Sequence, residues 1–127
     1  MTAAPSIAER EAVFKAFGRA FFKEDLDALY QVVTEDFVWS AVVNGKARHI
    51  QGRAAIGAYF AERRGLYENV RFHDVVYHHA PEASFMTFRL TATNKATGAP
   101  VDEIGVERYT FRDGKLALKD VYLKPAA

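Results

Sequence analysis

The sequence predicts a single α+β domain in which helices pack on one face of a mostly antiparallel sheet. Apolar residues follow helical spacing mainly in the first half of the chain, whereas the second half is a succession of strand-like segments separated by turn residues. A length of 127 residues suits one domain, and a hydrophobic content of 50% is enough for a real core.

The first helix is predicted to begin after Ser6, which can cap it, and Glu9 stands at the reciprocal capping-box position. Its apolar face is formed by Ile7, Phe14, Phe17 and Phe21. Asp25 can cap a second helix, whose apolar residues are Leu26, Leu29, Tyr30 and Val33. A third helix is predicted over residues 53–64, with Gly65 as its stop.

Strand-like alternation begins with Phe37, Trp39, Ala41 and Val43. Asn44-Gly45 follows as a two-residue hairpin turn, because both positions tolerate a positive φ. Four longer strands are predicted at residues 70–79, 84–95, 101–112 and 116–124. The resulting order is α-α-β-β-α followed by four strands.

Composition excludes several classes of protein. Seventeen Lys and Arg against sixteen Asp and Glu leave a formal charge of +1 without a basic cluster, so we expect no nucleic-acid partner. The absence of cysteine excludes disulfides and thiolate chemistry. The N-terminal residues lack the apolar core of a signal peptide, and no apolar run is long enough to cross a membrane. We therefore expect a cytoplasmic protein without membrane contact.

This layout and four local strings resemble the nuclear-transport-factor-2-like superfamily, and within it the SnoaL-like group related to polyketide cyclases and ketosteroid isomerases. The strings are Glu24–Leu29, Thr34–Trp39, Gly52–Ile56 and Phe111–Leu116. The resemblance covers about residues 7–124 of a single domain spanning 1–127. It implies a cone-shaped fold: three N-terminal helices packed on a strongly curved, mostly antiparallel sheet around an apolar pocket. It does not choose a function, because the superfamily contains isomerases, cyclases, dehydratases, epoxide hydrolases and non-enzymes.

The resemblance also permits a test for known chemistry. Ketosteroid isomerases of this superfamily use a tyrosine, an aspartate base and a protonated aspartate. Their positions correspond here to Phe17, Ala41 and Glu107. Phenylalanine cannot donate a hydrogen bond and alanine cannot take a proton, so we do not expect this mechanism.

Glu107 is nevertheless the first candidate catalytic residue. It shares one strand face with Gly105, Tyr109 and Phe111, and the two aromatic residues indicate that this face is buried. Burial would raise the pKa of a carboxyl group, which suits a general acid or base. The alternative is a buried glutamate paired with a cation, which holds two strands in register.

The partner of Glu107 depends on the Asp113-Gly114 turn. A three-residue loop places Lys119 beside Glu107, whereas a two-residue loop places Asp120 there. Lysine would keep the glutamate ionised, whereas a second carboxylate would force the two groups to share a proton. The family resemblance favours Lys119.

Further residues are predicted to line the pocket and could stack on a flat ligand. These are Phe17, Trp39, Ala41, Phe88, Leu90, Tyr109, Val121 and Leu123. The alternative for most of them is ordinary core packing.

The histidines do not predict a metal site, and we expect no metal or other cofactor. His73 and His79 share a strand face, with His78 opposite, but six residues of strand separate the first two by roughly 20 Å. His49, at the predicted pocket mouth, could act as an acid or base, although a surface position is the more common case.

Two functions remain open at this point. The first is cofactor-independent acid/base chemistry of the isomerase, cyclase or dehydratase type on a small apolar or aromatic metabolite, with Glu107 as the acid/base and Trp39 and Tyr109 positioning the ligand. The second is a non-catalytic ligand-binding or dimerisation module in which Lys119 neutralises Glu107. The resemblance further implies a homodimer through the outer sheet face, which carries Arg89, Thr91 and Thr93.

Overall fold

A computed structural model describes residues 4–127 of the chain. Its helices are α1 (Ile7–Lys23), α2 (Leu26–Leu29) and α3 (Arg53–Leu66). Its strands are β1 (Val33–Val43), β2 (Lys46–Gln51), β3 (Tyr67–His79), β4 (Ser84–Asn94), β5 (Pro100–Arg112) and β6 (Lys115–Pro125). The predicted order of elements and the α+β class are confirmed. No helix in the described range is long and apolar enough to span a membrane.

All six strands form one curved sheet in the order β2-β1-β6-β5-β4-β3. Neighbours pair antiparallel except β1 and β6, which run parallel and join the N-terminal hairpin to the C-terminal strands. The parallel pair was not predicted, because it joins segments about 80 residues apart and no local pattern encodes it. We call the face that contacts the helices the inner face and the opposite one the outer face.

The start of α1 forms as its sequence predicts. The Ser6 side chain accepts a hydrogen bond from the Glu9 amide, and the Glu9 carboxylate accepts one from the Ser6 amide. Ile7, however, is largely exposed, and Arg10 occupies the buried position on this turn. The Arg10 guanidinium donates to the Ala80 carbonyl at 2.7 Å, and so fastens α1 to the β3–β4 turn.

Two predicted helix boundaries were wrong. Helix α2 ends at Leu29, and Val33 belongs to β1, where it pairs with Leu116. A β-branched residue with a strand partner gains more from pairing than from a further helical turn. Helix α3 continues through Gly65 to Leu66, so this glycine is inside the helix rather than its stop.

Aromatic rings fill the space between the helices and the inner face. Phe17 packs edge-on against Phe37 and Tyr109, at ring separations of 6.1 and 5.7 Å. Phe21 packs against Trp39 at 4.7 Å and against Phe60 at 5.0 Å. Helix α1 therefore lies across β1, β5 and α3 at once.

Gly105 in β5 allows a close approach between two inner-face side chains. A Cβ atom at this position would lie 2.7 Å from Leu123 Cδ2 and closer still to Phe88 Cζ. Gly105 does not have a positive φ, so the reason for glycine here is the lack of space for a side chain.

We predict that Gly105→Ala lowers the free energy of unfolding by about 1–3 kcal/mol, because Phe88 and Leu123 must move apart. Urea denaturation monitored by circular dichroism measures the change. Gly65→Ala is the matched control, since a Cβ there meets nothing within 4 Å and alanine favours the helix. Equal stability of Gly105→Ala and wild type would contradict the steric account.

Candidate functional site

Glu107 faces inward from β5, as the alternation of its strand predicts. It is only 3% exposed, and Tyr109 on the same face is 2% exposed. Its backbone lies opposite Met86 of β4 and Val121 of β6. The carboxylate is therefore held in the middle of the sheet rather than at an edge.

The register that controls its partner differs from both predicted alternatives. Asp113 and Gly114, with φ values of 53° and 76°, form a two-residue turn that pairs Arg112 with Lys115. The register then shifts between Thr110 and Phe111. This bulge brings Lys119 opposite Tyr109, so neither predicted register is correct, although Lys119 is the partner of Glu107, as the family resemblance favours.

Lys119, which lies diagonally across from Glu107 on β6, is nevertheless the ion-pair partner of Glu107. Lys119 Nζ lies 2.7 Å from Glu107 Oε1, and both side chains are more than nine-tenths buried. Asp120 points to the outer face, where it accepts a hydrogen bond from the Tyr122 hydroxyl at 2.8 Å. The Glu107–Asp120 carboxylate pair considered from the sequence is thus wrong.

Tyr109 completes the cluster. Its hydroxyl donates a short hydrogen bond to Glu107 Oε1 and accepts one from Lys119 Nζ at 3.3 Å. Both donors to the carboxylate therefore act on Oε1, and Oε2 receives no hydrogen bond from residues 4–127. We refer to Glu107, Tyr109 and Lys119 together as the buried triad.

Four aromatic rings surround the ammonium of Lys119. Nζ lies 4.7 Å from the ring centroid of Phe21, and 5.6 to 5.7 Å from those of Phe17, Trp39 and Tyr109. The negative faces of such rings attract a cation, by about 2 kcal/mol when the pair is desolvated. The rings and the carboxylate together compensate for removing the charge from water.

Burial shifts the pKa values of Lys119 and Tyr109. It lowers the pKa of Lys119, while the adjacent Glu107 charge acts in the opposite direction and favours the ammonium. Burial, with the charge and hydrogen bond of Glu107, holds the pKa of Tyr109 well above its ordinary value. Tyr109 is therefore neutral at physiological pH and acts as a hydrogen-bond donor.

The predicted pocket residues separate into two groups. Phe17, Trp39, Ala41, Phe88 and Tyr109 are buried in the core, whereas Leu90, Val121 and Leu123 are partly exposed beside it. Two inner-face residues not predicted from the sequence adjoin the second group. They are Phe72, which lies opposite Leu90, and Tyr77, which lies opposite Met86.

We call the partly exposed inner-face residues Phe72, Tyr77, Leu90, Val121 and Leu123 the inner patch. Phe72 is 46% exposed although its ring packs 5.2 Å from Phe88. Val121 lies directly opposite Glu107, so the inner patch reaches the buried triad.

A shallow concavity of about 560 Å³ lies over β3–β6, mainly on the outer face, and is not lined by any member of the buried triad. Its walls are Asp74, Thr87, Phe88, Arg89, Ile104, Gly105, Val106, Tyr122, Leu123 and Lys124. A second concavity, at the β3–β4 turn, does not include the triad either.

One histidine, His73, lies on a different face from that predicted, whereas His78 lies opposite His79 as predicted. A register shift between His73 and Val76 moves His73 to the outer face with His78, where each contacts a threonine of β4. His79 faces inward and contacts Ser84 Oγ at 2.7 Å. His49 is exposed on β2, at the sheet edge. The shared face proposed for His73 and His79 was wrong, because the bulge reverses the alternation.

Sequence reasoning missed Arg63. Its guanidinium carbon lies 5.3 Å from the centroid of the Trp39 ring. Its spacing from Tyr59 and Phe60 puts it on the buried face of α3, which is the signal that could have identified it.

Comparison with solved structures supports the fold. An NTF2-like protein from Burkholderia xenovorans is similar with a TM-score of 0.82 and 22% identity, over 94% of this chain and 92% of that one. A candidate polyketide cyclase from Xanthomonas campestris is similar with a TM-score of 0.73 and 18% identity, over 91% of this chain and 90% of that one. A third similar structure is a protein with a ketosteroid isomerase-like fold from Catenulispora acidiphila, in complex with trimethylamine. Its TM-score is 0.70 and its identity 16%, over 90% of this chain and 85% of that one. The structure is therefore an NTF2-like fold.

The family model for the SnoaL-like domain matches residues 14–118. The chain belongs to the SnoaL-like domain family, as its sequence predicts. No curated protein matches the sequence.

We predict that Lys119→Met lowers the free energy of unfolding by about 3–5 kcal/mol, because it leaves the Glu107 carboxylate buried without a cation. The double variant Glu107→Leu/Lys119→Met should be more stable than Lys119→Met alone, since it removes both charges together. Thermal and urea denaturation provide the comparison.

Arg64→Met is the matched surface control. Its partner Glu24 lies 2.7 Å away at the protein surface, where loss of a pair costs about 1 kcal/mol or less. If the double variant were as unstable as the two single variants combined, the two charges would not be coupled.

Proposed function

We propose that this chain is a non-catalytic ligand-binding member of the SnoaL-like family, which binds a small apolar or aromatic molecule without metal or other cofactor. The observation that carries this proposal is the ion pair between Glu107 and Lys119. A carboxylate held by an ammonium at 2.7 Å and by a tyrosine hydroxyl is poorly disposed to take a proton from a substrate.

The inner patch is the proposed ligand site. Its members are apolar or aromatic and partly exposed; Phe72 lies directly opposite Leu90, and Val121 and Leu123 lie two residues apart on β6. Binding of an apolar molecule would remove about 25 cal/mol of unfavourable hydration per Å² of apolar surface. Pockets for small molecules commonly combine such walls with a few polar groups, which the buried triad would supply here.

Acid/base catalysis is the second candidate, and the free Oε2 atom of Glu107 favours it. A substrate at the inner patch could approach this oxygen without displacing Lys119 or Tyr109. The isomerase, cyclase or dehydratase chemistry expected from the sequence would then use Oε2 as the acid/base.

The cytoplasmic location stays a prediction.

A homodimer through the outer face is also proposed. That face exposes Val76 of β3, Ile104 and Val106 of β5 and Tyr122 of β6, between 37% and 56% each. A second copy covering them would bury apolar surface that a monomer leaves in water. Sedimentation equilibrium in solution gives the mass, and a monomer at micromolar concentration would exclude the dimer.

We predict that Phe72→Ala weakens binding of an uncharged aromatic probe, 4-fluorobenzyl alcohol, about tenfold, because it removes a ring from the inner patch. Fluorine NMR measures the dissociation constant. Phe22→Ala is the control, since Phe22 is 87% exposed on α1 and outside the inner patch. An equal effect of both variants, or no binding by wild type, would contradict the proposed site.

We further predict that Glu107→Gln retains binding of a ligand co-purified with the protein and identified by mass spectrometry. The ligand is then incubated with wild type in deuterium oxide. If the protein only binds the ligand, the ligand takes up no deuterium. Deuterium incorporation by wild type but not by Glu107→Gln would establish the second candidate instead.

A further inference from the structure

The indole nitrogen of Trp39 is a buried donor that the fold does not use. Trp39 is 3% exposed, and its Nε1 has no hydrogen-bond partner among residues 4–127. An unpaired buried donor is destabilising, and such groups in native proteins call for an explanation. A ligand with an acceptor atom would provide one.

Arg63 brings positive charge to the same ring. Its guanidinium carbon lies 5.3 Å from the Trp39 centroid, and Lys119 Nζ lies 5.7 Å from it. The described chain has six ion pairs, and Arg63 takes part in none of them. Its neighbour Arg64, in contrast, is paired with Glu24.

The charges around the Trp39 ring are therefore unbalanced. Two cations, Lys119 and Arg63, meet one carboxylate, Glu107, which is already bound to Lys119. A guanidinium presents up to five donors in a planar fork that suits a carboxylate. One negative charge on a ligand would balance the site and give the indole N–H its acceptor.

We propose that the ligand of the inner patch is an aromatic or apolar carboxylate, whose anionic oxygens bind the Arg63 guanidinium and the Trp39 indole N–H. This inference rests on the proposed ligand-binding function and names the class of ligand. The apolar part of the molecule lies against the inner patch, and the carboxylate lies between α3 and β1.

Two probes of nearly equal shape test the charge. 4-Fluorobenzoate carries the carboxylate, and 4-fluorobenzyl alcohol lacks it; fluorine NMR gives the dissociation constant of each. Trp39 is the single tryptophan of the chain, so its indole resonance in a proton–nitrogen spectrum reports directly on the site. We expect tighter binding of the benzoate and a downfield shift of the indole proton that the alcohol does not produce.

Arg63→Gln should weaken benzoate binding about tenfold or more, since hydrogen bonds to charged groups contribute about 1.5–3 kcal/mol. Its affinity for the alcohol should change little, which also shows that the variant is folded. Arg64→Gln removes the same charge one residue away and should bind benzoate as wild type does.

Each other outcome overturns the inference. If the benzoate binds no more tightly than the alcohol, or if Arg64→Gln weakens it as much as Arg63→Gln, the ligand is not selected by its carboxylate, while the proposed binding function stands. If neither probe binds wild type at millimolar concentration, the binding function and the inference fail together.

Discussion

The buried ion pair between Glu107 and Lys119 is the constraint on which the rest of the interior depends. Two charges in an aromatic core are costly unless each has its partner and the remaining polar atoms are satisfied. The Tyr109 hydroxyl and four surrounding rings supply those contacts. The placement of α1 follows, because Phe17 and Phe21 must cover the ammonium.

The same ion pair is one reason why the shared fold does not imply ketosteroid isomerase chemistry in this chain. Of the three positions of the ketosteroid isomerase pattern, this chain has an acid only at Glu107; Phe17 replaces the tyrosine and Ala41 replaces the base. In the structure Phe17 contributes a ring to the surroundings of Lys119 instead of a hydroxyl to a substrate. The absence of a hydroxyl at Phe17 and of a base at Ala41, together with the ion pair of Glu107, is the reason for proposing binding rather than catalysis.

The electrostatics of the interior differ on the two sides of Trp39. Toward β5, Lys119 is matched by Glu107 at 2.7 Å. Toward α3, Arg63 stands over the ring without a carboxylate partner in the described chain. Repulsion from Arg63 adds to burial, the main cause, in lowering the pKa of Lys119. A fold that tolerates this imbalance is suited to accept a negative charge from outside.

Caps, turns and alternation are local, so the sequence alone predicted the helices, the hairpin at Asn44-Gly45, the inward direction of Glu107 and the family resemblance, which favoured Lys119 as its partner. It did not predict the register that brings the two side chains together. One bulge after Thr110 shifted β6, so that Lys119 reached Glu107 diagonally. Another bulge in β3 moved His73 to the outer face. Arg63 over Trp39, and the parallel pairing of β1 with β6, are contacts between distant segments that only the tertiary structure decided.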